Sequence, residues 1–91
     1  MGRASRLKPA RLAEKLLQIR TGLGLSQSEI IREMGLEGLL YRNNISGFET
    51  GERMPQLLVL LKYARAAGVT IDDLVDDSID LPKKLPKIPK K

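Results

Sequence analysis

Residues 26–55 read SQSEIIREMGLEGLLYRNNISGFETGERMP, and this stretch decides the fold. Ser26 followed three positions later by Glu29 spells a capping box. The hydroxyl accepts a backbone N–H, and the carboxylate reaches back to the N-cap N–H. Ile30, Ile31 and Met34 supply one apolar face, and Gly35 can take the positive φ that ends a helix. The spacing therefore predicts a helix over 27–34. A second short helix is expected over 42–50. There Ile45 and Phe48 stand three apart and face inward, leaving Arg42, Asn43, Asn44, Ser46 and Gly47 outward. Gly51 ends this helix and Pro55 opens the next.

Upstream, Pro9 suits a first helical position, and Leu12, Leu16 and Ile19 repeat at helical spacing until Gly22 and Gly24 stop the run. Leu23 and Leu25 flank that stop and can plug the core. Downstream, a helix over 56–67 places Leu57, Leu60, Leu61 and Ala64 on its inner face, with Gly68 as its stop. Leu58, Val59 and Tyr63 lie on a second side. Either the core wraps around this helix or that side meets a second subunit. Thr70 and Asp73 cap a short fifth helix carrying Ile71, Leu74 and Val75. The expected fold is all-α: a compact five-helix body over 9–80, a basic N-terminal arm over 1–8 and an extended Pro/Lys tail over 81–91.

The 91 residues suffice for one modest core, burying roughly 60% of the unfolded surface. The three aromatics are Tyr41, Phe48 and Tyr63, so that core must be aliphatic. Cysteine and histidine are both absent, which removes disulfides, thiol chemistry and the commonest general base and metal ligand. No glycine-rich phosphate loop follows a strand, and no carboxylates pair in an apolar setting. An enzyme is not expected, nor is a cofactor. No apolar run approaches the ~20 residues needed to span a bilayer, so no membrane association is expected and the location is read as cytoplasmic, at the nucleoid. The net charge of +5 is concentrated at the ends. Residues 1–20 hold six basic residues against Glu14, and 83–91 add five lysines, while the body between is acidic. Basic arms on a compact body suit short-range neutralisation of phosphate.

Two short helices joined at a glycine, the second with a polar outer face, present amides and a guanidinium to base edges in the manner of a helix-turn-helix. The order Arg20, Leu25–Ser26–Gln27, Gly35, Ile45–Ser46, Glu49, Gly51, Arg53, Pro55 resembles the phage-repressor and Cro (Xre-type) family. So does the block PQLLVLLKYARAAGVTIDDLV, and the resemblance runs from about residue 12 to 75. It implies a lambda-repressor-like domain and a sequence-specific regulator, a repressor that reads a pseudo-palindromic operator in double-stranded DNA as a homodimer. Two features depart from the pattern: Ile31 stands where the family commonly has Ala, and the interval from Gly35 to Ile45 is longer, with extra residues around 37–40.

The resemblance places Gln27 at a phosphate clamp in the first turn of its helix, and Arg42, Asn43 and Asn44 at base-reading positions. Arg suits guanine and Asn suits adenine, each bidentate. Asn43 or Asn44 serves equally as an N-cap. Ser46 and Gly47 complete the base-contact set, with Gly47 there either for close approach to the sugar–phosphate wall or for packing. Arg20 and Glu49 are implied to form a partly buried pair holding the second helix of the motif. Arg53, after the second helix of the motif, and Arg3, Arg6 and Lys8 of the basic arm are expected as further phosphate contacts.

Leu39, Leu40 and Tyr41 read as core cover, and the aspartates of 72–80 as an acidic cap on the fifth helix. The tail's lysines suit DNA, with the alternative that Leu81, Leu85 and Ile88 anchor it across a dimer interface. The competing function is a protein-interaction module that docks a partner through the LLY loop and the C-terminal tail.

Overall fold

The computed structural model describes residues 8–85. Five helices follow in order: α1 Leu12–Gly22, α2 Gln27–Met34, α3 Arg42–Thr50, α4 Leu57–Ala67 and α5 Ile71–Val75. There is no strand among the described residues; Glu37 and Leu40 form an isolated bridge. Helix α1 packs on α3, α4 and α5, while α2 packs on α3 and α4. The core is aliphatic at Leu16, Ile19, Ile30, Ile45 and Leu74, all fully buried, but not only aliphatic as expected, because Tyr63 is fully buried and Phe48 nearly so. Each such side chain stabilises the fold by about 1.5–3 kcal/mol relative to exposure.

Local chemistry sets the boundaries of α2 and α3 where the sequence placed them. Ser26 Oγ accepts from Glu29 N at 3.1 Å, and Ser26 N donates to the Glu29 carboxylate at 2.8 Å. That bonding holds the Glu29 carboxyl below its usual pKa. The Thr70–Asp73 box is closed in the same way. Gly35 and Gly51 take φ of 74° and 84°, a left-handed conformation open to glycine at little cost, and so end α2 and α3. The extra residues at 37–40 fold into a tight turn in which Leu39 N and Leu40 N both donate to Leu36 O at 3.0 Å.

Helix α1 begins at Leu12, not at Pro9. Its start is fixed from far along the chain: the Asp77 carboxylate accepts Ala10 N at 2.9 Å and Arg11 N at 3.0 Å. Those two bonds hold the Asp77 carboxyl below the usual carboxylate range. Arg11 also reaches Asp77 O at 3.1 Å and the Asp80 carboxylate at 2.8 Å. Lys15, one position before the core residue Leu16, is completely buried. Its ammonium donates to Asp73 O, Asp76 O and Ile79 O at 2.7–2.8 Å, which uses all three of its protons. The aspartate-rich segment is thus a clasp on α1 as well as a cap on α5.

Three further expectations are corrected. In α4, Leu57 faces solvent and the buried face is Val59, Leu60, Tyr63, Ala64 and Ala67. Gln56 is the N-cap, so Leu57 lies in the first turn, beyond the reach of the core. The core therefore does wrap the second side of α4 at Val59 and Tyr63, while Leu58 stays exposed. In the 37–40 turn, Leu40 packs against the core but Leu39 and Tyr41 are exposed, because the tight turn lifts them off the body. Finally, the change of composition after Asp80 is not the edge of the packed body. Leu81 is buried in the core and Leu85 packs on it, so close to Gly22 that a Cβ there would meet Leu85 Cδ1 at 3.2 Å. Ile88 lies outside the described residues.

Candidate nucleic-acid interface

Helices α2 and α3 carry the expected polar face. The N-terminus of α2 is exposed, and its first-turn N–H groups give it partial positive charge. Ser26 and Glu29 satisfy each other there, while the N–H groups of Gln27 and Ser28 bond to nothing among the described residues. The Gln27 side chain is half-buried and donates to Glu49 Oε1 at 3.4 Å.

On α3, Arg42, Asn43 and Ser46 are exposed, and Ile45 and Phe48 are buried beneath them. Asn44 is half-buried. Its Oδ1 accepts Tyr41 N at 2.8 Å, so it secures the start of the helix from the third helical position while its amide NH₂ remains available. Gly47, expected on the outer face among the base contacts, is instead buried, because Arg53 covers it: a Cβ there would meet Arg53 Cδ at 2.8 Å and Cγ at 3.0 Å. Arg53 N donates to Gly47 O at 3.1 Å, so the exposed Arg53 lies across the glycine with its stem on α3.

One ion pair sets the pose of α3. Arg20 Nε meets Glu49 Oε2 at 2.5 Å and Arg20 Nη2 meets Oε1 at 3.1 Å, a bidentate arrangement. The side chains are 18% and 7% exposed, which makes this a partly buried brace between α1 and α3. Arg20 Nη1 donates to Leu25 O at 3.1 Å and so ties the α1–α2 loop to the same point. Bonding to Glu49 raises the Arg20 pKa further. Tyr63 Oη lies in the same interior without a hydrogen-bond partner among the described residues, and burial pushes its phenol well above the ordinary value.

Between α2 and α3 the 37–40 turn opens a concavity of about 540 Å³, lined by Ser28, Arg32, Glu37, Tyr41, Arg42 and Asn43 among others. Arg32 and Glu37 pair across it at 3.3 Å. The sequence reading does not single out Ser28, and it takes Tyr41 as core cover or part of a docking loop, not as part of this face. The signal for Ser28 was its place in the first turn of a capped helix, and for Tyr41 its position just before α3. Lys8 is exposed, and Arg3 and Arg6 lie outside the described residues.

A braced, polar-faced second helix set against a capped first helix is the architecture of a helix-turn-helix DNA-binding domain. The family model HTH_3, described as Helix-turn-helix, matches residues 16–74. The chain belongs to this helix-turn-helix family of the phage-repressor and Cro type, and is a DNA-binding transcription regulator. Neither the curated proteins nor the solved structures gave a significant match. No helix among the described residues is long and apolar enough to cross a membrane.

Proposed function

We propose that the protein is a repressor that binds a pseudo-palindromic operator as a homodimer and reads each half-site with α3. The observation that carries this reading is the exposure of Arg42, Asn43 and Ser46 on a helix braced from behind by Arg20 and Glu49. In this reading Arg42 and Asn43 make bidentate contacts to a purine edge each, and Ser46 and the amide of Asn44 extend the readout. Gly47 contributes by letting the Arg53 stem lie on the helix, from which Arg53 meets a backbone phosphate. The free N–H groups of Gln27 and Ser28 take another phosphate at the positive end of α2, with the Gln27 side chain beside them. Lys8, Arg3 and Arg6 add neutralisation outside the motif. One α3 covers too few base pairs to specify a single operator, and a two-fold dimer doubles the site.

Selection of bound sequences from random duplex tests this directly. A two-fold symmetric consensus with purine preferences in each half is expected. Retention of duplex with no consensus would reject sequence reading, and a single asymmetric half-site would reject the dimer.

A further inference from the structure

A second concavity, of about 510 Å³, lies between the 37–40 turn, the α3–α4 loop and α4. Its walls are Leu36, Leu39, Leu40, Phe48, Met54 and Leu58. Leu39 is 74% exposed, Leu58 68% and Met54 48%, so three large apolar side chains stand in water around one groove. A contiguous exposed apolar patch beside a groove marks an interaction site. The charges on its walls are Arg53 and Lys62, and no carboxylate lines it.

We infer that this groove is a docking site for a partner protein segment of one chemistry, an amphipathic helix whose apolar ridge is flanked by carboxylates. The apolar floor takes the ridge in the helix-in-groove mode, and Arg53 and Lys62 meet the flanking acids. Charge decides against a second copy as occupant. A two-fold contact sets the same patch on both subunits, which would bring two pairs of cations together with no acid in the lining to offset them. The groove also shares residues with the face proposed for DNA: Asn44 and Arg53 line it. The bound segment therefore removes Arg53 from phosphate and competes with DNA. That competition rests on the DNA reading proposed above; the docking itself does not.

The test is a display selection of random 16-residue peptides against the full chain, followed by titration of enriched peptides into isotope-labelled protein. Enrichment of leucine-rich peptides with flanking Glu or Asp is expected, with amide shifts concentrated at Leu39, Met54 and Leu58. Leu58→Ser and Lys62→Glu should each weaken binding at least tenfold, and Lys62→Glu should reduce the preference for acidic over basic peptides. A fluorescent random duplex bound at low salt should be displaced by the same peptides. The absence of enrichment, peptides that are basic or neutral, or binding indifferent to both substitutions overturns the inference. So does a dimer that becomes monomeric on Leu58→Ser, because the face would then belong to a second copy. If the duplex does not bind at all, the DNA reading fails while the peptide titration still decides the groove.

Discussion

Gly47→Ala sets two magnitudes against each other. Alanine gains about 1 kcal/mol over glycine in a helix interior. At this site, however, the new methyl would sit 2.8 Å from Arg53 Cδ, 3.0 Å from Cγ and 3.3 Å from Cβ. The Cβ is tied to a backbone whose N–H is bonded to Gly47 O, so the stem cannot swing clear without moving the α3–α4 loop. Overpacking of this kind costs about 1–3 kcal/mol. The expected net change is a loss of about 1 kcal/mol, or about 4–8 °C in Tm for a domain this size. The displaced guanidinium should also lose its phosphate, lowering the salt slope of duplex binding by about 0.9 and weakening all sequences alike. Urea unfolding and a salt titration read both quantities. In an Arg53→Ala background only the 3.3 Å contact with the Cβ of residue 53 remains, so Gly47→Ala should there cost clearly less than in the unchanged protein. If Gly47→Ala stabilises the otherwise unchanged protein and leaves the salt slope intact, the contact with Arg53 does not explain the glycine.

Four other outcomes are expected. Breaking the Arg20–Glu49 pair should cost between about 1 kcal/mol, the upper end for an exposed pair, and about 3 kcal/mol, the low end for a buried one, because this pair is partly buried. Arg20→Ala should be worse than Glu49→Ala, since Glu49 is the more buried charge, and a double-mutant cycle in urea measures the coupling. Lys15→Met leaves three carbonyls without their donor and should cost at least ~3 kcal/mol, read by denaturation and by faster proteolysis within 73–81. Asp77 has its folded pKa depressed by the Ala10 and Arg11 N–H groups, so its contribution is present at neutral pH and is lost as pH falls through and below the ordinary carboxylate range. Asp77→Ala should therefore flatten the acid limb of the stability–pH curve. Asn43→Ala should relax preference at one base pair per half-site by about 1–3 kcal/mol with Tm unchanged, measured by competition binding.

What the sequence disclosed follows from the range of the forces involved. Ser26 with Glu29, Thr70 with Asp73, and the glycines at 35, 51 and 68 act on neighbours within a turn, so their signals sit in a few adjacent letters. The Arg20–Glu49 pair was implied by the family resemblance, since no local rule joins residues that far apart. Lys15 was hidden for a physical reason. Its partners are backbone carbonyls contributed by three residues nearly sixty positions away or more, and any residue type supplies a carbonyl. Asp77 at the start of α1 was hidden in the same way. The inner face of α4 was misjudged because periodicity gives a stripe but not how far along the helix the core extends; Leu57 is in register yet beyond the edge. Asn44 illustrates the reverse: the sequence offers Asn43 or Asn44 as the N-cap, but Tyr41 takes that position and Asn44, the third helical residue, accepts the Tyr41 N–H instead.

The clasp formed by Lys15, Arg11 and Asp77 also bears on the order in which the molecule can be made. On a ribosome α1 emerges ahead of its clasp, with a buried-type cation and an unfinished start, and its partners are not synthesised until some sixty residues later. Until then Lys15 favours water over the interior, and the first helix has little reason to commit to the core. Residues 73–81 therefore close the structure as the last turn of a lock. A fusion joint or natural gene boundary placed where the family match ends, at residue 74, would strand that ammonium with one of its three carbonyls. Swapping regulatory modules onto this domain should succeed only beyond Leu81.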